Sequence, residues 1–86
     1  MDKLRSMAVF IAVVEAGSFT QAAVRLEISA VMVGKYIAQL ENQLATRLLA
    51  RNTRRQSLTD AGRVFYEEAR RVLEQVHIAE TSVERL

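Results

Sequence analysis

Cysteine, proline and tryptophan are all absent from the 86-residue chain, and histidine occurs once. Without cysteine there is no disulfide, no iron-sulfur cluster and no thiolate zinc site, and one histidine argues against a histidine-only metal site. No cofactor is expected, so packing has to hold the domain together. Hydrophobic residues make up 50% of the chain, which is enough to build one core in a domain of this size. Long apolar runs are missing too. The longest, Met7 to Val14, falls well short of the ~20 residues that cross a bilayer. The start lacks the cleavable pattern of a secretory signal, and a cytoplasmic protein with no membrane contact is the expectation. No serine, histidine and acid grouping and no glycine-rich phosphate loop stand out, so the chain does not read as an enzyme.

With only three glycines, punctuation is sparse, and the chain reads as helices joined by short turns. Leu4, Met7, Phe10, Ile11 and Val14 recur at helical spacing, and Gly17 follows where a left-handed cap closes a helix. Ser18 with Gln21 three residues on resembles a capping box, opening a short helix over about 19–26 whose inward face is Phe19, Ala22, Ala23 and Leu26. Ser29 caps a third helix, in which Val33, Ile37, Leu40 and Leu44 form the expected buried face. Two short helices separated by a turn of this length have the spacing of a helix-turn-helix, centred on about 19–38.

From Arg47 to Leu58 the helical period is lost, and the pattern suggests a small two-stranded wing with a basic polar tip. Thr59 then caps a final helix that runs on, with Asp60 favourably placed in its first turn. Along it Phe65, Ala69, Val72, Val76, Ala79, Val83 and Leu86 are spaced 4, 3, 4, 3, 4, 3. That is a heptad seam, and a helix this long overhangs a three-helix core, so the seam is expected to pair with a second copy. Phe65 is also a candidate for the domain's own core. The expected class is therefore all-α with a small two-stranded β wing: a winged helix-turn-helix over 1–59, then a linker and dimerisation helix over 60–86.

Net charge is only +2, but Lys35, Arg47, Arg51, Arg54, Arg55 and Arg63 face just Glu41 and Asp60 in the same stretch. This local excess points to a polyanion. Within the wing, Arg51, Thr53, Arg54 and Arg55 suit phosphates and a narrow minor groove. On the third helix Lys35, Tyr36 and Gln39 are placed to reach base edges or phosphates, a solvated face being the plainer reading of Gln39. Ser18 and Thr20 offer hydroxyls to phosphate, although Ser18 also serves as a simple cap. Ala30, Val31 and Met32 suit the thymine methyl group, an apolar feature of the major groove, while Met32 equally suits packing on the second helix. Gly34 allows close approach of DNA or of a neighbouring helix. His77, off the seam, reads as a surface residue.

The runs FIAVVEAGSFTQAAVRLEIS (10–29), KYIAQLENQL (35–44) and RLLARNTRRQSLTDAG (47–62) resemble, in this order and spacing, the N-terminal domain of LysR-type transcriptional regulators. The likeness extends over the whole chain. It implies a sequence-specific regulator of double-stranded DNA, with the third helix in the major groove and the wing on backbone or minor groove. It further implies an antiparallel homodimer through the long helix, tetramers in full-length proteins, and a small-molecule effector bound by a separate domain absent from this chain. One stretch departs from that pattern. Where the family resembles Ser-Gln-Pro-Ala-Val-Ser-Arg, this chain has Ser29, Ala30, Val31, Met32, Val33, Gly34 and Lys35, so a lysine point charge replaces a bidentate arginine. The competing reading is a protein docking or dimerisation module that works through the long helix.

Overall fold

The computed structural model describes residues 2–51 and 56–86, with side chains described for 2–50 and 57–86. Four helices and a two-stranded antiparallel wing follow one another as α1 (Lys3–Ala16), α2 (Phe19–Leu26), α3 (Ala30–Leu44), β1 (Leu49–Arg51), β2 (Gln56–Leu58) and α4 (Asp60–Glu84). This is a winged helix-turn-helix with a long terminal helix, as the periodicity and caps implied.

Local chemistry sets each boundary. The Asp2 carboxylate accepts the N–H groups of Leu4 and Arg5 at 3.0 and 3.3 Å, so α1 starts one residue before the first apolar position. Gly17, at φ 87°, closes it by donating to the Val13 carbonyl at 2.9 Å. The left-handed conformation demanded there is one that glycine adopts without steric cost. Between α2 and α3 the chain reverses through Glu27 at φ 57°, and the Ile28 N–H returns to the Ala23 carbonyl at 3.1 Å. A side chain in this conformation costs roughly 1–2 kcal/mol; packing of Ile28 against the core offsets it.

The core draws Val9, Phe10 and Val13 from α1, Ala22 and Ala23 from α2, Val33, Ile37 and Leu40 from α3, and Leu48 and Leu49 from the wing. Two faces differ from the sequence expectation. On α1 the buried stripe is Ser6, Val9, Phe10 and Val13, while Leu4 is exposed and Ile11 and Val14 are half-buried. The run from Met7 to Val14 is apolar all round, so periodicity alone does not choose its inward side. On α3 the apolar series ends at Leu40. Leu44 is 41% exposed, and the last buried position is Glu41 at 8%.

The strands pair Leu49 with Leu58, Ala50 with Ser57 and Arg51 with Gln56. Thr59 joins this wing to α4: its backbone N–H donates to the Leu48 carbonyl at 3.0 Å, and its hydroxyl accepts from Gly62 N–H at 2.9 Å while donating to the Arg47 carbonyl at 2.7 Å. Here α4 comes so close to the chain before β1 that a Cβ on Gly62 would sit 2.1 Å from the Leu48 carbonyl oxygen. Only glycine fits.

Further along α4, the Phe65 ring meets Phe10 edge-on with centroids 5.6 Å apart, and the Tyr66 hydroxyl donates to Glu15 at 3.0 Å. Ala69 is 1% exposed. The first two seam positions, Phe65 and Ala69, are thus taken up by the chain's own core, and the free stripe begins at Val72. From there α4 projects past the three-helix body, giving the molecule extents of 51 × 26 × 21 Å.

Candidate nucleic-acid interface

The α2–turn–α3 unit is set by two serine caps. The Ser18 hydroxyl accepts the Gln21 N–H and the Ser29 hydroxyl accepts the Met32 N–H, each at 3.1 Å. Opposite the buried stripe of α3, the exposed residues Val31, Lys35, Ala38 and Asn42 recur at spacings of four, three and four. They form one straight ridge along the helix. It points away from the core, and α2 packs alongside, with the Phe19 ring 3.6 Å from where a Cβ of Gly34 would lie. That distance is ordinary contact, so helix packing does not require glycine at 34.

Several expected contact residues are exposed. Ala30, Val31 and Lys35 are exposed, and Thr20 is exposed in the first turn of α2. Lys35 makes no ion pair among the described residues, which leaves its ammonium free for an anion. By contrast Arg63 is paired with Asp60, and Arg47 has its Nε 3.8 Å from Glu41. Ser18, Met32, Tyr36 and Gln39 are half-buried. Tyr36 packs against the core, and the Gln39 side-chain oxygen is buried without a hydrogen-bond partner. In the wing, Arg51 ends β1 with its side chain outside the described set, and Thr53, Arg54 and Arg55 lie outside the described residues altogether.

One residue that positions the interface carried no expectation. Glu41 Oε2 accepts the Leu48 and Leu49 N–H groups at 2.8 and 3.1 Å, tying the end of α3 to the start of the wing. An ionised acceptor holding two buried backbone donors makes a charge-assisted anchor. Its signal in the sequence is an acid lying between Ile37, Leu40 and Leu44, where the apolar face of α3 should continue.

Stripe residues on the projecting part of α4 remain open to a partner. Val72, Val83 and Leu86 are exposed large hydrophobics, Ala79 is exposed and Val76 is half-buried. Beside the base of α4 lies an apolar groove lined by Leu44, Leu48, Ala61, Val64 and Phe65. Among the described residues no group of three or more histidine, cysteine or acidic side chains is placed to hold a metal ion, and no helix is long and apolar enough to cross a membrane.

Residues 4–63 match the family model described as bacterial regulatory helix-turn-helix protein, lysR family. The chain is 45% identical over 76 residues to the HTH-type transcriptional activator AaeR of Escherichia coli strain K12, covering 88% of this chain and 25% of that relative. It is 41% identical over 83 residues to an HTH-type transcriptional repressor of Pseudomonas aeruginosa strain UCBPP-PA14, covering 96% and 26% respectively. The chain therefore spans about a quarter of the length of these curated relatives. Among solved structures, the BenM DNA-binding domain in complex with catB site 1 DNA superposes with a TM-score of 0.93 at 36% identity, covering 98% of this chain and 93% of that one. The CbnR DNA-binding domain in its DNA complex gives 0.91 at 37% identity, covering 98% and 97%.

Proposed function

The chain belongs to the lysR family of bacterial regulatory helix-turn-helix proteins, and from that premise we propose that it is a sequence-specific, double-stranded-DNA-binding regulator of transcription. The observation that carries the reading is the likeness, over 98% of the chain, to BenM and CbnR domains solved on DNA. Its own chemistry agrees. The first turns of α3 present an outward ridge to a major groove, where helix N-terminal residues meet base edges. Lys35 has an unpaired charge for phosphate or for base acceptors, and Thr20 has a hydroxyl. Arg51, Thr53, Arg54 and Arg55 extend the footprint to the backbone or the minor groove. Affinity comes from phosphates and selectivity from base edges. The work is binding, not catalysis, carried out in the cytoplasm with no cofactor.

Residues 1–59 form the DNA-binding unit and 60–86 the linker helix through which two copies pair. What supports the pairing is the apolar stripe of Val72, Val76, Ala79, Val83 and Leu86 on a helix that leaves its own core at Ala69. Two such stripes bury one another as a heptad seam. Effector binding and tetramer assembly belong to parts of a longer protein.

Titration of the chain against labelled genomic duplexes at several salt concentrations tests the reading. Selective binding is expected, with log affinity falling linearly with log salt, at about 0.9 per phosphate neutralised. Salt-independent binding without sequence preference overturns it. Alanine at Arg51 and Arg54 separates this from protein docking: unchanged DNA binding with loss of a protein partner favours docking.

A further inference from the structure

The outward ridge of α3 is poor in hydrogen-bonding groups for a surface that has to distinguish base pairs. Its exposed residues are Val31 at 68%, Lys35, Ala38 and Asn42, with Ala30 exposed beside the first of them. From 30 to 38 this side offers one donor, the Lys35 ammonium, and no side-chain acceptor. Lysine donates only. Adenine and cytosine each present an amino donor in the major groove and need an acceptor from the protein; thymine presents a carbonyl oxygen and a methyl group. At the start of this turn the Ser29 hydroxyl accepts the Met32 N–H as the helix cap.

Resting on the DNA-binding reading above, we infer that Val31 is a specificity-determining residue that reads a thymine C5-methyl group by apolar contact in the major groove, with Lys35 donating to acceptor atoms one turn further on. Val31 suits this role because two-thirds of a branched apolar side chain is left in water at the helical turn that faces base edges. Burying it against a methyl recovers apolar area on both partners. Met32 is half-buried, with its backbone fixed by the cap, and so is less free to move onto a base. Gly34 and Ala38 add no bulk that would hold Val31 off the groove floor.

Deoxyuridine differs from thymidine by that one methyl and keeps every hydrogen-bonding atom, which makes it the probe. Duplexes selected by the chain from a randomised pool are resynthesised with each thymine in turn replaced by uracil, and affinities are measured at fixed salt. At one thymine per half-site, uracil is expected to weaken binding about four-fold, equivalent to ~0.8 kcal/mol for one methyl-sized group. In Val31→Ser the thymine and uracil duplexes bind alike, whereas Lys35→Ala weakens both equally and keeps the ratio. Because Val31 is exposed, the serine variant keeps its fold, which its circular dichroism checks. Salt-dependent, selective binding with no loss at any uracil overturns the inference and leaves the DNA-binding reading standing. So do selected sites with no shared thymine, or discrimination unchanged in Val31→Ser. Absence of selective binding to any duplex overturns both.

Discussion

Removing the Glu41 carboxylate is the sharpest test of how the wing is held. In Glu41→Ala the Leu48 and Leu49 N–H groups, bonded at 2.8 and 3.1 Å, lose their shared acceptor at a residue that is only 8% exposed. An orphaned buried donor costs roughly 1–3 kcal/mol, so two of them, partly rescued by water entering the space left behind, cost about 3 kcal/mol. For a domain of this length each kcal/mol lowers Tm by roughly 4–8 °C, and a drop of about 15 °C follows. Glu41→Gln keeps an oxygen in place but loses the charge, so it should cost about 1 kcal/mol. Thermal and urea denaturation followed by circular dichroism measure both variants. DNA affinity at a temperature where each is folded then tells whether the wing has lost its place beside α3. If Glu41→Ala lies within about 0.5 kcal/mol of the parent, the carboxylate is not the anchor and the reasoning fails.

Two alanine substitutions at glycines should move stability in opposite directions. Gly62→Ala drives a methyl into the Leu48 carbonyl, 2.1 Å from the ideal Cβ, and should cost about 3 kcal/mol as overpacking against backbone. Gly34→Ala meets only the Phe19 ring at 3.6 Å and should gain up to ~1 kcal/mol in helix propensity. Urea midpoints decide both, and a destabilised Gly34→Ala would show a packing demand the geometry lacks. Val76→Glu, on the projecting part of α4, should leave the monomer fold intact and abolish self-association in sedimentation velocity; an unaltered dimer refutes the seam. In a Tyr36→Phe background, the absorbance of the remaining phenol should show Tyr66 titrating above its ordinary value of 10.0, through partial burial and then its bond to Glu15. Since its folded-state pKa is raised, the stability it contributes is present below 10.0 and is lost as pH rises through the folded value. Titration at or below 10.0 in the folded chain counts against the bond.

The sequence by itself determined the elements, their order and most of their ends, because caps and periodicity act over about one helical turn. Ser18, Ser29 and Thr59 each hold an N–H three residues on, and Gly17 stops α1 by its own backbone freedom. The heptad stripe, the helix-turn-helix spacing and the unusual turn at Ala30–Lys35 were legible for the same reason. Tertiary structure decided what depends on distant segments meeting. Which face of the apolar run from Met7 to Val14 turns inward was chosen by α2, α3 and α4 packing on α1. Glu41 replaces Leu44 as the last buried position of α3 because donors seven and eight residues away need an acceptor there. Gly62 is required because α4 crosses the Leu48 carbonyl at close range. The heptad seam, unbroken in sequence, is divided in space: Phe65 packs on Phe10 and Ala69 is buried, whereas Val72, Ala79, Val83 and Leu86 are exposed.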